Sequence, residues 1–399
     1  MVVIRKLDLA LYALSAVFAA FTAFASTLTP HRVWGQIALF GYALAVLLIL
    51  LVPRWWLLLG TWLAVALVPL VVEAVQRAGG RPDRAQEEVL VVERAGERLW
   101  HTGSPYLTRG EIAALPADER LLGYTPYQPG MAVFGLPRSL AGVHWWTDAR
   151  VWFAVATIGA LSWAYVVLRD SWPVLRPAQA ATVFPVCALT LATGGDDIPV
   201  LALSLLAFAF AARARFLAAG VAIGVAAALK LFAWPVALVL LLLALRSGRR
   251  MWQRYLVPAL GIPLVVLLPA VVVAPDAVIE NVIRFPGGRG LVVSPAQSPL
   301  PGHLVATGVP GGRLIAVALL LLAGLAIAVW LVRRPLRDVA DAALVSAVGL
   351  TAAIMLTPTT RFGYLLYPVA YAALWRAFRS PSRPVFRSPS PAAGRKQGG

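Results

Sequence analysis

Apolar runs of about 18 residues or more recur from one end of this chain to the other, each long enough to cross a hydrocarbon core about 30 Å thick. No water reaches the backbone in such a core, so a chain built of these runs must fold into helices that satisfy their own N–H and C=O groups. Composition agrees: 60% of the 399 residues are hydrophobic and 13% are charged, where a soluble domain has about 25% charged. The expected fold class is an all-α polytopic membrane protein. Its segments fall at 7–28, 35–52, 55–76, 149–168, 175–193, 198–212, 216–229, 231–245, 255–273, 314–332, 339–356 and 362–378, which makes about 12 transmembrane helices. The first ends in Ala23-Phe24-Ala25, similar to a signal-peptidase site, but its length and the span close behind it favour an uncleaved helix.

A formal charge of +17 invites a nucleic-acid reading, and its distribution argues against one. Arginines cluster at alternate ends of the apolar runs: Arg5 with Lys6, Arg54, Arg169 and Arg176, Arg213 and Arg215, 246–254, 333–337. One orientation puts them all on the same side, the positive-inside pattern of a multi-pass plasma-membrane protein with both termini cytoplasmic. The implied partners are membrane lipids, not nucleic acid. Cys187 is the single cysteine, so neither an internal disulfide nor a cysteine metal cluster is available.

That orientation divides the chain. Residues 1–378 form one integral-membrane domain, and 379–399 a basic, Ser- and Pro-rich cytoplasmic tail of disordered composition. A long polar loop, 77–148, falls on the extracytoplasmic side between the third and fourth helices, with a second loop at 275–313. Loops this long are functional more often than mere connections. Within the first, 87–100 reads as an interfacial helix with Val89, Val92 and Leu99 on one face and Glu93, Arg94, Glu97 and Arg98 largely elsewhere. Tyr124-Thr-Pro-Tyr127 then forms a rigid aromatic turn suited to packing on a sugar.

The same side receives several candidate residues. Lys230 stands between two apolar segments with no basic neighbour. An ammonium there can meet a phosphate, or be a helix-end lysine snorkelling to the interface. Asp196 and Asp197 open a segment, where capping accounts for one and leaves the other for a sugar hydroxyl. Arg284 and Arg289 sit outside against the general charge bias, which suggests an anionic ligand, and Arg361, before Phe362-Gly363-Tyr364, is a third candidate phosphate contact. Gln297 and His303 lie in the second loop; His303 has no second histidine at ligand spacing, so no metal site is assigned.

These features resemble those of glycosyltransferase family 87, the polyprenol-phosphate-mannose-dependent membrane mannosyltransferases of actinobacteria within the C superfamily. The end of that family's loop pattern is similar to Gly103, Pro105 and Tyr106, and Tyr124-Thr-Pro-Tyr-Gln-Pro stands at its Tyr-Pro-Pro segment. Counting back from Pro105-Tyr106 puts Glu88 where the family carries aspartate, while Val92 replaces an expected tyrosine. The family's lysine after a small-residue helix matches Lys230, and Gln297-Ser298 matches a polar pair. The resemblance implies an inverting hexosyltransferase, with a sugar, mannose in that family, passing from a polyprenyl-phosphate donor to an extracytoplasmic lipid or glycan acceptor. It assigns Glu88, with Glu87 behind it, as catalytic base. Lys230, Arg361 and Arg289 become donor-phosphate ligands, and Tyr106, Tyr124, Tyr127, Asp196, Asp197, Gln297 and His303 substrate contacts. No cofactor is implied, a divalent cation at the two aspartates staying open. The alternative is a non-catalytic carrier or flippase of polyprenyl-linked sugars, against which stands the lack of visible repeats.

Overall fold

A computed structural model describes residues 2–380; the expected basic tail lies outside them from 381 onward. The described residues are helical, with no strand beyond an isolated bridge between Gln297 and Thr360. In chain order the main helices are α1 (Val2–Ala25), α2 (Thr29–Leu48), α3 (Arg54–Ala78) and α4 (Glu87–Thr102), then α5 (Ala149–Leu168), α6 (Leu175–Thr182), α7 (Pro185–Thr193) and α8 (Asp197–Ala212). There follow α9 (Phe216–Leu229), α10 (Ala233–Arg246) and α11 (Arg249–Val273), then α12 (Pro301–Gly308), α13 (Gly312–Arg333), α14 (Val339–Leu356) and α15 (Leu366–Arg379).

Seven of these, α1, α2, α3, α5, α11, α13 and α14, are long and apolar enough to cross a membrane. The expected figure of about 12 is not reached by that measure, for two physical reasons. First, α8, α9 and α10 are apolar but short, about 21–24 Å at 1.5 Å per residue. Second, the run at 175–193 breaks at Phe184-Pro185, since a proline inside a helix removes a bond and clashes with the preceding turn. The run at 362–378 likewise opens with a 3₁₀ turn, Phe362–Leu365, before α15.

The short helices are the centre of the bundle. Nearly every residue of α8 is buried, as expected of a helix apolar on all sides, and it packs on α5 and α9. Against α9 lies α11, whose backbone at Tyr255 and Pro258 presses on Gly220 and Gly224. This is the small-xxx-small contact by which membrane helices approach closely without a hydrophobic drive. In α3 a π-helical stretch, Leu63–Leu67, disturbs the regular ladder, and the Val65 carbonyl accepts a bond from the Trp34 indole at 2.7 Å.

The loop between α3 and α5 is an ordered structure. Its helix α4 is anchored by a buried charge lattice: Arg77 of α3 holds Glu93 at 2.6 Å and Asp148 at 2.9 Å, and Arg138 reaches Glu93 at 3.2 Å. Arg150, fully buried, pairs with Asp148 at 2.9 Å and Glu73 at 3.1 Å. Glu93 therefore points inward, contrary to the amphipathic reading of this helix; its partners lie in α3, at Arg138 and at the Ala149 amide that starts α5, out of range of local periodicity. Arg98 also turns in, donating to the Pro105 carbonyl and to Thr125. On the other side Gly96 and Gly135 meet backbone to backbone, which lets the turn Pro129–Gly135 lie flat on α4.

Candidate functional site

Where α4 begins, its first turn, the start of α8 and the end of α9 enclose a cavity of about 340 Å³. Its lining brings together Glu87, Glu88, Tyr124, Tyr127, Asp196, Asp197, Lys230 and Arg361, residues spread over more than half of the chain. The positioning starts at Gln86, which caps α4. Its amide donates to the Thr193 carbonyl at 3.0 Å, its side-chain oxygen accepts from the Thr193 hydroxyl at 3.1 Å, and its Nε2 lies 2.7 Å from His31 Nε2. The next two residues, Glu87 and Glu88, thus sit at a fixed height and at the positive end of a helix, where carboxylates are favoured.

The two differ in environment. Glu87 is exposed, whereas the Glu88 side chain is 12% exposed and paired with the Arg361 guanidinium. Arg361 comes from the turn between α14 and α15, so the pair bridges the two halves of the chain.

Beside it stands a second charged group. Lys230 Nζ contacts Asp196 at 2.9 Å and Asp197 at 2.7 Å, and lies over the rings of Tyr127 (5.3 Å) and Tyr364 (5.5 Å). The Tyr367 hydroxyl donates to Asp197 at 2.7 Å. One cation is thus shared by two carboxylates and two ring faces. Isolated in the sequence, Lys230 is closely partnered in space, and its capacity for a further anion is small. Arg361, with a single carboxylate opposite and a side chain 31% exposed, has more to offer one.

The walls are aromatic. Tyr124 stacks on Phe285 at 4.1 Å between ring centres. Its hydroxyl donates to the buried Glu280 at 2.9 Å and accepts from the Leu291 amide at 2.8 Å. Glu280 also pairs with Arg109 at 2.9 Å, and Asn281 accepts from the Thr125 amide, so the π-helical turn Ile279–Arg284 fastens the aromatic segment in place. The wall also includes Pro286, Ser294, Pro295 and Ala296, held to the Arg361 turn by amide bonds between Ala296, Ser298 and Thr360.

Four expected residues do not line the cavity. Tyr106 is buried behind it, donating to the Tyr127 carbonyl at 2.7 Å. Arg289 is exposed, Gln297 turns to the Ser294 carbonyl, and His303 Nδ1 donates to the Pro358 carbonyl at 2.9 Å. Conversely, Phe285, Tyr364 and Tyr367 belong to the site and its support without having been singled out. Among the described residues no group of three or more His, Cys, Asp or Glu is arranged to hold a metal ion.

The model of glycosyltransferase family 87 matches residues 124–358. No curated protein matches the chain. Among solved structures it is similar to ArnT from Cupriavidus metallidurans in the apo state, at 17% identity and a TM-score of 0.47, covering 79% of this chain and 58% of that one. The same protein bound to undecaprenyl phosphate gives 17% identity and a TM-score of 0.48, covering 82% of this chain and 60% of that one. The chain thus spans about three fifths of the length of the solved chains it matches.

Proposed function

Because the chain belongs to glycosyltransferase family 87, we propose that it is an inverting membrane glycosyltransferase. It moves a sugar, mannose on the family resemblance, from a polyprenyl-phosphate donor to a lipid or polysaccharide acceptor on the extracytoplasmic side. The observation that carries this reading is the Glu88–Arg361 pair inside an aromatic-walled cavity. Displacement at an anomeric carbon needs a base for the acceptor hydroxyl proton and a cation for the charge that grows on the leaving phosphate. Here the two groups neutralise each other. A donor phosphate entering beside Arg361 draws the guanidinium to itself and leaves the Glu88 carboxylate free to accept the proton. Glu87 is the fallback base, one residue away and exposed.

In this scheme Lys230 acts mainly by holding Asp196 and Asp197, whose outer oxygens are then available to sugar hydroxyls, while Tyr124 and Tyr127 supply the faces on which the sugar packs. Arg289, Gln297 and His303 lie outside the cavity lining and take no part in this scheme.

Membranes containing the protein, incubated with radiolabelled polyprenyl-phosphate mannose, test the proposal. Label should move into a new lipid or glycan product, and Glu88→Gln should lower that transfer by at least about 100-fold with expression unchanged. A dead Glu87→Gln beside an active Glu88→Gln moves the base by one residue. Label that crosses the bilayer without entering a product supports the carrier alternative instead.

A further inference from the structure

At the end of the bundle away from the polar cavity, the start of α3 and the end of α5 diverge and leave a groove of about 520 Å³, within the size range of ligand pockets. Trp55, Trp56, Trp62 and Tyr165 frame it, with Trp55 set edge-on to Tyr165 at 5.0 Å. Small residues, Ser162 from α5 and Ala178 from α6, make the recess between these rings. Nothing in the proposed chemistry uses this groove.

The lining is uncharged, but arginines adjoin it in the chain, Arg54 before Trp55, Arg169 after Leu168 and Arg176 before Pro177. Arg54 and Arg176 together hold the single carboxylate of Asp8, at 2.5 Å each. Arg169 lies over the Tyr165 ring at 5.9 Å and near the exposed Asp170 at 3.8 Å. Arg213 donates to the Val167 carbonyl at 2.9 Å. Arg54, Arg169 and Arg213 thus stand beside lining residues of an apolar slot whose own lining carries no charge. We infer that the groove is a binding site for an anionic phospholipid, one acyl chain lying in the slot among the tryptophans and the headgroup phosphate beside the exposed guanidiniums of Arg169 and Arg213. Basic clusters at the ends of membrane helices recognise anionic headgroups in this way. A zwitterionic lipid has the same chain but gains nothing from the rim, so the charge at the mouth selects the occupant.

The tryptophans provide the readout. The full chain, delipidated and reconstituted in phosphatidylcholine vesicles, is titrated with phosphatidylglycerol or phosphatidylcholine carrying brominated chains. The fluorescence of Trp62 is isolated as the difference between the native protein and Trp62→Phe. Quenching of that component should reach its midpoint at a mole fraction about fivefold lower for the anionic lipid. Arg169→Gln should reduce this preference, and Ser162→Phe, a substitution on an exposed helix face, should fill the slot and suppress quenching by both lipids. Equal midpoints for the two lipids would identify an ordinary lipid annulus and overturn the inference, as would quenching that Ser162→Phe leaves unchanged. The readout is independent of glycosyl transfer, so its failure says nothing of the proposed activity, nor the reverse.

Discussion

Two aspartates share the ammonium of Lys230, and that arithmetic decides what the residue can do. Removing the cation leaves two adjacent buried carboxylates with no counter-charge. We expect Lys230→Met to destabilise the protein by about 3–5 kcal/mol, the cost typical of breaking a buried pair from one side. Thermal unfolding in detergent would measure it, and adding Asp197→Asn should restore part of the loss. A phosphate contact alone would instead leave stability untouched and raise the donor KM. The sequence made Lys230 conspicuous because it has no basic neighbour, and it made Asp196 and Asp197 conspicuous at a helix start. That the three form one group could not be read there, since about 33 residues and a whole helical hairpin intervene. The pairing of Glu88 with Arg361 was hidden for the same reason. Glu73 was the missed signal: an acidic residue inside an apolar run is a functional or structural candidate by default, and it proves to be the buried partner of Arg150.

At the scale of elements, hydropathy located the apolar helices well because each is a contiguous run. It measures composition and not continuity, so a run broken at Pro185 looks like an unbroken one. The contact between α9 and α11 depends on two absent side chains. Gly220→Leu would place a branched side chain against the Tyr255 backbone and the Pro258 ring and force the helices apart. We expect a lower unfolding temperature together with weakened transfer, since Lys230 caps the far end of α9, while the same substitution at Gly261, where nothing lies within 4 Å, should be close to neutral. The helix α4 was legible in extent, but its inward face was not. Its Glu93 looked like a solvated charge until the fold brought Arg77 to it.

The molecule as a whole is fastened by the charge lattice joining α3, α4 and α5, which makes its stability sensitive to acid. Burial alone would raise the pKa of Asp148, but Arg150 and Arg77 outweigh it and hold the carboxyl well below the usual carboxylate value. A group depressed in the folded state contributes stability that is fully present above its unfolded pKa, about 3.9, and is lost as pH falls through the folded value. The unfolding temperature in detergent should therefore hold from pH 7 to about pH 5 and fall below pH 4, and Asp148→Asn should start lower and respond less to acid. Another feature acts on the same scale. Only 6% of the apolar window of α13 is buried in the protein, and this helix, about 33 Å long by its residue count, otherwise meets the bilayer directly. Its first turn reaches the segment that continues from the cavity wall, Arg313 bonding the carbonyl of Gly288 at 3.4 Å, two residues beyond the lining residue Pro286. A helix so exposed adjusts its tilt to hydrocarbon thickness, and the wall is attached to its end. Transfer should accordingly vary across phosphatidylcholines of increasing chain length, the membrane's own dimension acting as a setting for the width of the site.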